Sequence, residues 1–124
     1  MDKPKILIAE DEEDLRELYK TRFEYESFGV ILAQDGEEAI EKTTKEKPDL
    51  ILLDLMMPKK GGIEALKELK ENPETSKIPV IVLTALFEEN IKKKVLEMGA
   101  DYFLTKADIL ASDVVNLVKR LIVK

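Results

Sequence analysis

The chain has 124 residues, enough for one domain with a single buried core and too few for two. Its 44% hydrophobic and 37% charged residues exclude disordered and low-complexity chains, and the absence of Cys and His excludes disulfides, thiolate or imidazole metal sites, cysteine nucleophiles and every Ser-His-Asp arrangement. The 20 basic residues are dispersed among 26 acidic ones apart from Lys59-Lys60 and Lys92-Lys93-Lys94, and a net charge of −6 speaks against direct nucleic-acid binding.

The predicted elements alternate from the N-terminus. A short apolar run at about 5 to 9 reads as a strand, followed by a helix carrying Leu15, Leu18, Tyr19 and Phe23 at helical spacing. Gly29 resets the pattern; Val30-Ile31-Leu32-Ala33 reads as a second buried strand, and Asp35-Gly36 turns into a helix beginning Glu37-Glu38-Ala39-Ile40. Pro48-Asp49 precedes a third strand, Leu50 to Leu53. Pro58 with Gly61-Gly62 then forms a loop before Ile63, Leu66 and Leu69 on a third helix. Val80-Ile81-Val82-Leu83 is the fourth strand, and Ile91, Val95 and Met98 mark a helix closed by Gly99. A fifth strand at about 102 to 104 precedes Asp108, a candidate N-cap, and a last helix with Leu110, Val114, Leu117, Val118, Leu121 and Ile122.

Strands that are apolar throughout imply burial on both faces, and strict alternation with helices implies a parallel sheet covered on each side. Five such units are too few for a closed eight-unit barrel, so the expected fold is α/β, an open doubly wound five-stranded parallel sheet with the flavodoxin-like strand order 2-1-3-4-5. The longest apolar runs fall far short of the ~20 residues of a membrane span. No membrane insertion and a cytoplasmic location are expected.

In such a sheet the carboxyl ends of the strands form the ligand-binding edge. Strand one ends in Glu10-Asp11, strand three in Asp54, strand four in Thr84 and strand five in Thr105-Lys106. Any one of these could serve solubility alone; together they are a constellation. With adjacent strands about 4.8 Å apart, Asp54 lies centrally and Lys106 two spacings away, within side-chain reach of a group carried on Asp54. Two carboxylates at about 4 Å repel by roughly 4 kcal/mol at an effective dielectric near 20, so three of them call for a cation or raised pKa values. An all-oxygen, histidine-free set suits Mg²⁺. An aspartate beside Mg²⁺, a hydroxyl and a lysine is arranged for nucleophilic attack on phosphorus. Glu12, Glu13 and Asp14 read as charges favourable to a helix N-terminus and nothing more.

At these residues the chain resembles the receiver domains of two-component response regulators. The resemblance rests on Ile6-Leu7-Ile8-Ala9-Glu10-Asp11, Asp49 through Asp54-Leu55-Met56-Met57-Pro58, Thr84-Ala85, and Gly99-Ala100-Asp101 through Thr105-Lys106. It implies a single stand-alone receiver over 1–124, similar to chemotaxis regulators, with no output domain. Asp54 would be the phosphoacceptor; Asp11 would bind Mg²⁺ directly, Glu10 largely through water, and Asp54 and the Met56 backbone carbonyl would complete the protein ligands. Thr84, Ala85 and Lys106 would bind the phosphoryl group, with Thr84 and Phe103 as switch residues; Phe103 reads equally as a core aromatic. A sensor histidine kinase or histidine phosphotransfer protein would be the donor. Catalysis would extend only to the domain's own phosphorylation and dephosphorylation. Output would run through a protein partner on the face of the fourth helix, fifth strand and fifth helix, the chain being a monomer with dimerisation on phosphorylation left open.

Three residues depart from the family pattern. Glu10 stands where an aspartate is usual, Phe103 lacks a tyrosine's hydroxyl, and Ala107 replaces the proline that usually follows the lysine in a cis peptide. Either that bond is cis without proline or the loop after strand five takes another path. Met56 and Leu86 flank the expected site and would hinder attacking water. The alternative function is a pseudo-receiver, a phosphorylation-independent interaction module on the same fold. A flavin phosphate site is disfavoured by the acidic run Glu10 to Asp14, and a P-loop nucleotidase by the lack of its glycine-rich lysine motif.

Overall fold

A computed structural model describes residues 3–122 and contains β1 (Lys5–Ala9), α1 (Glu13–Tyr25), β2 (Gly29–Ala33), α2 (Gly36–Glu46), β3 (Leu50–Leu53), α3 (Gly62–Glu71), β4 (Val80–Thr84), α4 (Glu89–Glu97), β5 (Tyr102–Thr105) and α5 (Ala111–Ile122). All strand pairs are parallel and the order is β2-β1-β3-β4-β5, as expected. No helix among the described residues is long and apolar enough to cross a membrane.

The period-two alternation of side chains sorts each central strand between two cores. Leu7, Ile51, Leu53, Val80 and Val82 pack with Ala39 of α2, Leu66 and Leu69 of α3 and Val95 of α4. Ile6, Ile8, Leu50, Leu52, Ile81 and Leu83 pack on the other face with Tyr19 and Phe23 of α1 and Val114, Val115 and Val118 of α5. β3 and β4 are buried throughout, whereas only Ala33 of β2 is fully buried. The expectation of a second strand buried on both faces is therefore corrected, because β2 is an edge strand. Its outer edge is covered by Lys42, whose Nζ donates to the Leu32 carbonyl at 2.6 Å.

Two further expectations change. The buried stripe of α1 is Arg16, Tyr19 and Phe23, while Leu18 is 42% exposed and Leu15 half-buried. Tyr19 stacks on Phe23, which meets Phe28 edge-on, and these rings fix the helix phase. Asp108 is not an N-cap: α5 begins three residues later at Ala111, and the Asp108 carboxylate instead accepts the Thr105 hydroxyl at 2.6 Å. The true capping aspartate is Asp35, whose Oδ1 accepts the Glu38 N–H at 2.9 Å while Glu38 Oε1 accepts the Gln34 N–H.

The loop from β3 to α3 is held closely on two sides. Gly62 donates its N–H to the Leu55 carbonyl and Gly36 donates to the Lys60 carbonyl. A Cβ at Gly62 would lie 2.2 Å from the Asp54 carbonyl oxygen and 2.6 Å from the Leu55 Cα, both backbone atoms that cannot swing aside. Gly62→Ala is expected to destabilise the fold by about 1–3 kcal/mol or more through this overpacking. Gly29→Ala, whose Cβ would meet nothing closer than 3.4 Å, should leave stability unchanged or raise it by up to ~1 kcal/mol. Urea denaturation of both variants checks the contrast.

Candidate functional site

The last ladder bonds of adjoining strands deliver two carboxylates to one place. The Glu10 N–H donates to the Ala33 carbonyl and the Asp54 N–H to the Ala9 carbonyl, each at 3.0 Å, so both residues stand one step past the ends of β1 and β3. Glu10 and Asp54 are only 4% and 3% exposed, whereas Asp11 is exposed. One carboxylate oxygen from each of the three lies within 4.8 Å of the others.

Lys106 crosses behind β4 to reach them. Its Nζ lies 2.9 Å from Glu10 Oε1 and 3.0 Å from Asp54 Oδ2, and 3.7 Å from Glu12 Oε1. Its backbone N–H donates to the Thr84 carbonyl at 2.9 Å, which fixes where the lysine leaves the sheet. No peptide bond among the described residues is cis. The loop through Ala107 therefore takes the second of the two expected routes, and the lysine still reaches Asp54.

The remaining oxygens are also engaged. Asp54 Oδ1 accepts the Met56 N–H at 3.1 Å, and Glu10 Oε2 accepts the Glu12 N–H at 3.1 Å. Thr84 is fully buried, and its hydroxyl accepts the Leu86 N–H at 3.2 Å; among the described residues it makes no hydrogen bond to the acidic cluster. Ala85 follows it and is exposed, as is the Met56 side chain. Phe103 pairs with Val82, two register steps before Thr105 pairs with Thr84 at the end of β4, and its half-buried ring packs on the α3/α4 core rather than among the carboxylates.

Burial raises the Glu10 pKa, its proximity to Asp54 adds to the rise, and the hydrogen bonds from Lys106 and the Glu12 N–H oppose it without cancelling it. For Lys106 burial acts downward, but the hydrogen bonds to Glu10 and Asp54 outweigh it and raise the pKa. Tyr19 is pushed up to about 12 by burial, with Glu10 adding and Lys106 opposing, which places the site's field on this ring of α1. Three clustered carboxylates face one ammonium at short range. Oxygen donors in excess of positive charge, partly buried, fit a hard divalent cation of the magnesium class.

The model of the response regulator receiver domain matches residues 6–119. The chain belongs to this family. Receiver domains of response regulators are phosphorylation-controlled signalling modules rather than enzymes acting on a separate substrate. Among curated relatives, the alkaline phosphatase synthesis transcriptional regulatory protein PhoP of Bacillus subtilis is 46% identical over 102 residues, covering 82% of this chain and 42% of the relative. The chain thus spans less than half the length of that protein. Among solved structures, the receiver domain of Francisella response regulator 1452 matches with a TM-score of 0.86 and 34% identity over 95% of both chains. The BeF3-activated N-terminal receiver domain of Klebsiella pneumoniae RstA matches with a TM-score of 0.83 and 30% identity, over 95% of this chain and 98% of that one.

Two contributors to this receiver's site escaped the sequence reading. Glu12, expected only to favour the helix dipole, donates its N–H to Glu10 and brings its carboxylate near Lys106. Arg16 is buried against the β1–α1 turn, donating Nη1 to the carbonyls of Glu10 and Asp11. Its signal was present, since a basic residue at 16 shares the buried helical stripe of Tyr19 and Phe23.

A carboxyl whose folded pKa is raised keeps its proton to higher pH in the folded chain than in the unfolded one, so stability falls as pH rises from the unfolded value through the folded one. Without divalent cations, stability is expected to decline above pH 4.5 with a contribution from Glu10. Glu10→Gln should flatten that part of the profile, measured by thermal unfolding between pH 4 and 8 in chelator.

Proposed function

We propose that Asp54 accepts a phosphoryl group and that the charge change at this site switches a protein-interaction surface. The observation that carries the reading is Lys106 Nζ held 3.0 Å from Asp54 Oδ2, beside two further carboxylates. An Asp54 carboxylate oxygen would form the new bond to phosphorus as the bond from phosphorus to the donor breaks, the electron pair leaving with the donor. From acetyl phosphate that leaving group is acetate; from a phosphohistidine of a sensor kinase or phosphotransfer protein it is an imidazole nitrogen.

Glu10, Asp11, Asp54 and the Met56 backbone carbonyl would hold Mg²⁺, Glu10 largely through water. When bound, the ion would neutralise carboxylate and phosphoryl charge. Lys106 would transfer an N–H donor from Asp54 to a phosphoryl oxygen. The Thr84 hydroxyl, which among the described residues only accepts a bond from Leu86, would keep its own proton to donate to that group, with Ala85 beside it as a further phosphoryl contact. Reorienting Thr84 would reach Phe103 along the β4–β5 register and then the α4/β5/α5 face, where Leu96, Tyr102 and Leu121 are exposed apolar side chains suited to a protein partner. Such a switch would meet its donor in the cytoplasm. The pseudo-receiver reading drew on Ala107, and that departure carries less weight when Lys106 reaches Asp54 without a following proline.

The test is incubation with acetyl phosphate or phosphoramidate and Mg²⁺, followed by intact-mass analysis. One phosphoryl addition is expected, absent in Asp54→Ala and in chelator, and much reduced at low Mg²⁺ in Asp11→Asn. Full addition in Asp54→Ala would remove that residue from the role, and no addition to the folded wild-type chain would favour the pseudo-receiver. Once phosphorylated, the Met56→Gln/Leu86→Gln double variant is expected to lose phosphate several-fold faster, since apolar groups no longer bar attacking water. The half-life of the phosphorylated species measures this directly.

A further inference from the structure

Glu10 and Asp11 are consecutive, and consecutive side chains of extended backbone point to opposite faces. Both nevertheless offer an oxygen to one cluster with Asp54, within 4.8 Å. The backbone must therefore turn between them, and something must hold it turned. The neighbouring carbonyls are occupied by regular structure: the Ala9 carbonyl accepts the Asp54 N–H, and the Glu12 carbonyl accepts the Arg16 N–H in the first turn of α1. The Glu10 and Asp11 carbonyls fall between ladder and helix, and among the described residues Arg16 is their only partner.

A single nitrogen makes both bonds. Arg16 Nη1 donates to the Glu10 carbonyl at 2.8 Å and to the Asp11 carbonyl at 3.3 Å. Successive carbonyls of a strand point in opposite directions, so one shared donor is compatible only with a turned backbone. The guanidinium is buried and forms no ion pair among the described residues, so these carbonyls are the partners that its burial serves.

We infer that Arg16 is a positioning residue for cation binding: it gathers the Glu10 and Asp11 carbonyls to one side, and so presents both carboxylates to one ion. The inference rests on the reading of Glu10, Asp11 and Asp54 as cation ligands. The Arg16 side chain bonds the backbone carbonyls and, among the described residues, none of the three carboxylates, so its loss is expected to act on metal affinity rather than on transfer from the loaded site.

The experiment is titration with Mn²⁺, read as the electron paramagnetic resonance signal of the free ion, with Mg²⁺ as competitor. Wild type, Arg16→Met, Arg16→Lys, Asp11→Asn and Lys119→Met are compared. The last breaks the Lys119–Glu26 pair that ties α5 to α1 far from the turn, and controls for general loosening of the helix. Arg16→Met is expected to weaken binding by about 10–100-fold, as is typical when an outer partner of metal ligands is removed. Arg16→Lys should recover part of the loss, and Lys119→Met should bind as wild type does. In acetyl phosphate assays the half-saturating Mg²⁺ concentration of Arg16→Met should rise by the same factor, with the rate at saturating Mg²⁺ within about twofold of wild type. Arg16→Met binding Mn²⁺ as tightly as wild type, while Asp11→Asn does not, would overturn the role of Arg16 and leave the cation site standing. An equal loss in Lys119→Met would also overturn it, as would an unchanged affinity in Arg16→Lys should Arg16→Met fail to fold. Absence of Mn²⁺ binding by wild type would instead overturn the cation site itself and this inference with it.

Discussion

Two buried carboxylates share one ammonium, and the rest of the architecture is arranged around that crowding. Glu10 and Asp54 sit at the ends of adjoining central strands, where water is excluded and mutual repulsion is weakly screened. Lys106 relieves the repulsion from the far side of β4, spanning a gap that the strand order makes unavoidable. The relief is incomplete. Glu10 still carries a net cost of burial, visible as its raised pKa, while Lys106 is held the more firmly charged. A site left with surplus negative charge in a partly buried setting is one that gains from an added cation and is sensitive to any change in charge at Asp54.

The supporting backbone is closely packed and hydrogen-bonded around these groups. Gly62 lets the start of α3 approach the Asp54 and Leu55 backbone more closely than any side chain would permit. The Thr84 carbonyl anchors Lys106 while the Thr84 hydroxyl anchors Leu86, so two loops take their position from one residue at the end of β4. Placement of charge and placement of backbone are thus the same problem solved at the strand ends.

Most of the fold was legible because its signals are local and repeated. Four apolar runs and a short fifth, each followed by a helical stripe, leave few topologies, and the strand-end rule then points to Glu10, Asp11, Asp54, Thr84 and Lys106. What was not legible depended on position within the sheet or on contacts outside an element. Val30 to Ala33 is as apolar as Leu50 to Leu53, yet edge placement leaves most of it half-buried. Asp108 has the chemistry of a cap but is captured by the Thr105 hydroxyl before the helix starts. Arg16 was passed over because a charged side chain was not counted in a core stripe, although backbone carbonyls satisfy it there.

The covering of β2 by Lys42 bears on how the sheet meets its own copies. A bare edge strand is a template for another chain, since its outward N–H and C=O groups are unpaired. Here the ammonium already holds the Leu32 carbonyl, with Lys5 and Lys45 on the same border among Glu41 and Glu46. A strand approaching from that side would have to strip the carbonyl of its partner and bring its own backbone against a row of fixed charges. Growth of the sheet through β2 is thereby disfavoured, and one of the two borders of the sheet is guarded by charge against pairing with another strand.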